Sequence, residues 1–146
     1  MHSPYMYDLL TKVFDDHKAY YIFEDIEDQR VEFARSGRLI QSLDYGAGSH
    51  IISGKSRTAS DIVRSAVSSS RKCEMLFRLT EHLRPGVTVE LGSSLGISSA
   101  YLAAAQSRGR VYSFEGNPYL AKTARELSRN PKHDNIIFSD GNYEDT

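Results

Sequence analysis

Residues 87–96 constrain the fold more than any other stretch. Val87-Thr-Val-Glu-Leu91 is a short β-branched run that leads straight into Gly92-Ser-Ser-Leu-Gly96. An Ala-rich segment with helical character follows over residues 97–106, with Ser98 and Ser99 in its first turn. A strand that enters a helix through a glycine-flanked loop opens a β-α-β unit. The alternation then repeats. Arg110-Val-Tyr-Ser-Phe-Glu115 reads as a second strand, and Pro118 suits the first turn of a helix carrying Leu120, Ala121, Ala124 and Leu127. Asn135-Ile-Ile-Phe138 reads as a third strand. From residue 87 onward the expectation is β-α-β-α-β, a parallel, doubly wound α/β sheet.

The preceding residues have a different style. Leu9, Leu10, Val13 and Phe14 recur at helical spacing, and Ile22, Phe23, Ile26, Val31 and Phe33 continue in a second helical stretch. Gly37 is placed as its C-terminal stop. Ser60 is placed as the cap of a helix through Asp61, Ile62 and Val63. A further helix holds Met75, Leu76, Leu79 and Leu83 and stops at Pro85-Gly86. Between them, residues 39–49 bring turn chemistry, including Asp44-Tyr-Gly-Ala-Gly-Ser49.

Composition narrows the function classes. A chain of 146 residues with net charge -1 and scattered Lys and Arg has no basic footprint for nucleic acid. No apolar run reaches the roughly 20 residues of a membrane span, and residues 1–10 lack the pattern of a signal peptide. A cytoplasmic location is the resulting expectation. Cys73 is the single cysteine, so no intrachain disulfide can form, and a buried inert thiol is expected there. Asp15-Asp16-His17 is read as a solvated helix face and no metal site is expected, because no second cluster has ligand spacing. Tyr5, Tyr7, Tyr20 and Tyr21 are read as packing aromatics.

The chemistry converges on the loop. Glycines at 92 and 96 permit unusual φ values and a close ligand approach. The helix that follows offers unpaired N–H groups. Two glycines alone are weak evidence, since many α/β turns hold them for packing. Two acids add weight. Glu115 closes the second strand, where an acid can accept hydrogen bonds from both ribose hydroxyls of a nucleoside. Glu90 closes the first strand, where it would repel a pyrophosphate but attract an ammonium. Ser94 stands where a dinucleotide loop wants its second glycine. Charge and spacing favour a nucleoside with an amino-acid tail over a dinucleotide. Ser94 also fits the letters of a nucleophile elbow, Gly-x-Ser-x-Gly, but no later Asp and His can be assigned to complete it.

Val89-Glu-Leu-Gly-Ser-Ser-Leu-Gly-Ile-Ser-Ser-Ala-Tyr-Leu-Ala103 resembles the first motif of class I S-adenosylmethionine-dependent methyltransferases, in their O-methyltransferase-like branch. Tyr112-Ser-Phe-Glu-Gly-Asn-Pro118 resembles the second motif, and Ile136-Ile-Phe-Ser-Asp-Gly-Asn-Tyr-Glu-Asp145 the third. The resemblance implies a Rossmann-like methyltransferase fold with a partial parallel sheet. Residues 85–146 would be the N-terminal half of the S-adenosylmethionine-binding domain, and residues 1–84 a mainly helical N-terminal extension. It implies S-adenosyl-L-methionine as cofactor, held by Glu90, Gly92, Ser93, Gly96, Glu115, Asp140, Gly141 and Asn142. Glu90 would lie near the methionine ammonium and Glu115 at the ribose. Asp140, Gly141 and Asn142 would line the adenine, and which of them meets its amino group stays open.

The family's domain has seven strands, whereas this chain is expected to be truncated after the third motif. No catalytic residue is therefore assigned. The expected activity is methyl transfer to a small-molecule acceptor, with no nucleic acid or membrane partner. The alternative is a non-catalytic truncated Rossmann-like module. Its first strand, left as an open edge, would form a homodimer or pair with a partner chain. A nicotinamide-dependent enzyme ranks third, and Glu90 argues against it. Tyr45 and His50, in the loop after residue 43, are the candidates for substrate contact from the extension.

Overall fold

A computed structural model describes residues 3–41, 56–127 and 133–141. The expected alternation is present from residue 87 on. Strand β3 (Val87–Leu91), helix α5 (Ile97–Ala104), β4 (Arg110–Glu115), α6 (Pro118–Leu127) and β5 (Ile136–Asp140) follow in order. The sheet is parallel in the order β3-β4-β5, pairing Glu90 with Ser113 and Glu115 with Asp140. The order steps in one direction, so two right-handed crossovers lay both helices on the same face. That face carries Val111 and Ile136, which pack against Leu102 and Ala103 of α5.

The opposite face is bare among the described residues. Val87, Val89 and Leu91 of β3 are 58%, 61% and 68% exposed. Thr88 and Glu90, pointing the other way, are half-buried. Parallel sheets are ordinarily covered on both faces.

The upstream helices build a second layer over α5. Helix α2 (Tyr21–Arg35) and α4 (Ser70–Leu83) contribute Phe23, Ile26, Cys73 and Phe77 to a core completed by Ile97, Ala100 and Tyr101. Phe23 meets Phe77 edge-on at 4.9 Å between ring centroids. A carboxylate then fixes the three helices. Glu27 Oε1 accepts from Tyr101 Oη at 2.9 Å, and its Oε2 accepts from Ser70 Oγ at 2.7 Å and Arg30 Nε at 2.9 Å. Burial and this carboxylate push the Tyr101 hydroxyl far above the usual phenol range.

A short antiparallel pair, β1 (Leu39–Gln41) and β2 (Ser56–Thr58), leads into α3 (Ala59–Ser65). Thr58, not Ser60, caps α3: its Oγ1 accepts the Asp61 N–H at 3.1 Å and donates to Asp61 Oδ2 at 2.7 Å. This bond holds the Asp61 carboxyl below its usual range. Ser60 lies two residues too late for the cap and receives the Arg64 guanidinium instead. Ile40, Ala59 and Ile62 enclose Leu95, which comes from the glycine loop. The hairpin therefore packs directly on the loop.

The N-terminal stripe differs from its expectation. Helix α1 (Pro4–Leu9) runs into a π-helical turn, Leu10–Phe14. The wider turn rotates the apolar positions apart. Only Val13 is buried, while Leu10 and Phe14 are each 47% exposed. Asp16 lies past this turn, where its carboxylate accepts the Lys18 N–H at 2.9 Å, so it is not on a helix face. Tyr20 packs against Phe23 and Phe77 as expected, but Tyr5, Tyr7 and Tyr21 are solvent-exposed. Helix α2 ends in extended backbone at Ser36, so Gly37 follows the stop rather than making it.

Leu95 is fully buried where hairpin and loop meet. Leu95→Ala is expected to lower the unfolding free energy by about 2–5 kcal/mol, measured by urea denaturation.

Candidate functional site

The C-terminal ends of parallel strands are where open α/β sheets bind ligands. Here those ends carry Leu91, Glu115 and Asp140, and the glycine loop rises from the first of them. Its backbone is left-handed at three residues: Gly92 (φ 87), Ser94 (φ 51) and Gly96 (φ 81). The glycines take this conformation without penalty, and Ser94 takes it at a cost of about 1–2 kcal/mol. Two bonds to β4 hold the entry, with the Gly92 and Ser93 N–H groups donating to Phe114 O at 2.8 and 3.2 Å. Gly96 closes a turn on Ser93 O at 2.8 Å and becomes the N-cap of α5.

Glu115 organises the centre. Its Oε2 accepts the Ser94 N–H at 2.7 Å, and its Oε1 accepts the Asn117 N–H at 3.0 Å. The strained loop residue and the β4–α6 turn thus meet on one carboxylate. Each carboxylate oxygen has a second lone pair, so Glu115 retains capacity for further donors. Beside it, Ser93 is 2% exposed, and the hydroxyls of Ser93 and Ser94 are buried with no hydrogen-bond partner among the described residues. Buried polar atoms are ordinarily satisfied. Two such orphans lie side by side in one loop.

Glu90 is directed beneath α5. Its Oε2 accepts from Ser99 Oγ at 2.5 Å and Ser113 Oγ at 2.6 Å, and both serines are fully buried. This carboxylate locks α5 to β3 and β4 just behind the loop. Asp140 pairs with Arg125 of α6, whose guanidinium also reaches Phe138 O. Gly141, at φ 138, donates its N–H to Glu115 O at 3.3 Å, so the third strand's end is tied to the second. Asn142, Tyr45 and His50 lie outside the described residues.

The structure therefore brings Ser93, Gly92, Gly96, Glu115 and Gly141 around one point, with Glu90 behind it and Asp140 engaged by α6. Sequence reading missed Asn117, Ser99 and Ser113. Asn117 had a readable signal: an Asn directly before a helix-initiating Pro is a strong N-cap pattern. The serine pair has no such signal, because their meeting on Glu90 depends on strand register.

Three solved structures show the same architecture. An O-methyltransferase from Bacillus cereus in complex with SAH is 17% identical with a TM-score of 0.56, covering 94% of this chain and 54% of that one. The SAH-bound methyltransferase from Podospora anserina is 11% identical, TM-score 0.58, covering 99% and 52%. An O-methyltransferase from Streptomyces achromogenes involved in tomaymycin synthesis, in complex with SAM, is 15% identical, TM-score 0.54, covering 99% and 54%. The chain has the Rossmann-like fold of class I O-methyltransferases. It spans about half the length of the solved structures it matches. No protein-family profile and no curated protein sequence matches it.

Cys73 lies away from the loop, buried in the α2–α4–α5 core. Burial pushes its thiol above the usual range, and the nearby Arg30 guanidinium offsets this only in part. In native protein at pH 8 Cys73 is expected to resist an aromatic disulfide reagent, and to react completely once denaturant is added.

Proposed function

We propose that this chain is the S-adenosyl-L-methionine-binding part of a methyltransferase. One observation carries the reading. The Glu115 carboxylate sits at the C-terminal end of the middle strand, fastened to the glycine loop by the Ser94 N–H and flanked by two orphan serine hydroxyls. This arrangement suits a ribose on Glu115 and a polar tail over residues 92–96. Glu90 supplies negative charge behind the loop, which favours an ammonium and disfavours a pyrophosphate. Gly141 and its neighbours Asp140 and Asn142 would border the adenine. Residues 85–146 would form this nucleoside-binding half, with residues 1–84 an extension packed over it. Solved neighbours that carry SAM or SAH support the same cofactor.

When bound, the cofactor's sulfonium supplies the methyl group for an in-line displacement by a small-molecule oxygen or nitrogen. The contribution of these residues is placement: they hold the nucleoside and tail in a fixed orientation, and positioning is the main demand of such a reaction.

Titration calorimetry with S-adenosylhomocysteine tests the reading. Binding is expected for the protein as it stands. Glu115→Ala is expected to weaken it by about 10- to 150-fold, the equivalent of about 1.5–3 kcal/mol for hydrogen bonds to a charged acceptor. Absence of heat from the folded protein, or preferential binding of a nicotinamide dinucleotide, would overturn it.

The bare sheet face favours a second reading, a non-catalytic module that pairs through β3. Val87, Val89 and Leu91 alternate outward on a strand whose outer edge is open among the described residues. Light scattering after size exclusion separates the two. The module reading expects a mass at twice the chain's own; a stable monomer counts against it. No described helix is long and apolar enough to cross a membrane.

A further inference from the structure

Asn117 is 6% exposed, and each of its hydrogen-bonding groups is used. Its N–H donates to Glu115 Oε1 at 3.0 Å. Its side-chain Oδ1 accepts the Tyr119 N–H at 2.9 Å, capping α6. Its Nδ2 donates to Gln41 O at 2.8 Å, at the end of β1. One buried amide thus joins the Glu115 carboxylate, the first turn of α6 and the β1–β2 hairpin. The hairpin in turn covers Leu95 of the glycine loop. Arg38, just before β1, clasps Glu126 near the other end of α6 through two bonds of 2.7 and 3.0 Å. Helix and hairpin are therefore held together at both ends, and Asn117 is the end that faces the site.

The contact with Glu115 comes from the backbone of Asn117, so the side chain acts on it indirectly. The carboxylate has one fixed donor on each oxygen: Ser94 on Oε2 and Asn117 on Oε1. Two donors on opposite oxygens stop rotation about the terminal bond and leave the remaining lone pairs facing a defined direction. The Asn117 N–H can hold its place only while residue 117 keeps the non-helical conformation of an N-cap. The Oδ1 bond to Tyr119 enforces that conformation.

We infer that Asn117 is a positioning residue for the nucleoside site: its side-chain cap on α6 holds its own N–H against Glu115 and so orients the carboxylate that receives the ligand's hydroxyls. This rests on the cofactor reading given above and adds a residue to it. Asn117 touches no ligand atom in this scheme. Its effect must vanish when Glu115 can no longer accept as a carboxylate.

A double-mutant cycle with S-adenosylhomocysteine as the probe tests this, alongside thermal unfolding of each variant. Asn117→Ala removes the cap and is expected to weaken binding by about fivefold to tenfold. Asn117→Ser is neutral, caps as well as Asn, and is too short to span to Gln41. It is expected to recover binding to within about twofold. In a Glu115→Ala background, Asn117→Ala is expected to change affinity by less than about twofold, because the coupling runs through the carboxylate. A purely structural residue would lower the melting temperature in both backgrounds and weaken binding equally in both, and that result overturns the proposal. So does an Asn117→Ala variant that binds like the parent. Failure of the parent protein itself to bind overturns the cofactor reading instead, which keeps the two failures apart.

Discussion

The sheet advances in one direction, β3 to β4 to β5, and handedness then leaves no choice about where its helices go. Both crossovers fall on one face. Helix α5 is buried between that face and the α2–α4 layer, so six of its eight residues are inaccessible, including Ser99. A serine at that depth needs a partner. Glu90 on β3 supplies it and accepts Ser113 of β4 as well. The same placement sets the start of α5 above the strand ends, where the loop, Glu115 and the orphan serines meet. The bare face is the other half of this constraint: whatever the crossovers gather on one side, they leave off the other.

The two carboxylates at the strand ends, Glu90 and Glu115, have separate physical tasks. Glu90 faces inward and fastens α5 to the sheet. Glu115 faces the loop and compels Ser94 into a left-handed backbone that a serine seldom adopts. The strain is local, and the Glu115 acceptor offsets it. Loop shape and acid are thus one unit, and the hairpin supports that unit by enclosing Leu95.

The region after residue 87 was readable because its signals are local. β-branched runs, glycines at loop corners and a proline at a helix start fall within a few residues of what they control. The strand ends expected from these signals fall within about two residues of the observed ones for this reason. Upstream, the controlling contacts are distant. The π-helical turn at Leu10–Phe14 looks like ordinary helix at the level of spacing, since one extra residue per turn is invisible in a five-residue window. The β1–β2 pair joins residues far apart in the sequence, Leu39 with Thr58, and Thr58 becomes a cap only once β2 has ended there. Within the candidate site, residue types announced Glu115 and the glycines. The direction of Glu90 and the three-way grip of Asn117 depend on register and packing, which no short window contains.

The Glu27 junction carries an evolutionary consequence. Its carboxylate serves Tyr101, Ser70 and Arg30 on three different helices. Losing any one donor leaves the others intact, but losing Glu27 removes the acceptor of a phenol and a hydroxyl together, while Arg30 keeps its bond to Ser68 O. Drift at these positions should therefore follow a fixed order. Lineages can exchange the donors one by one, Tyr101 to Phe first, and replace Glu27 by an apolar residue only at the end. Among homologues, an apolar residue at position 27 should occur with Phe at position 101 and almost never with Tyr.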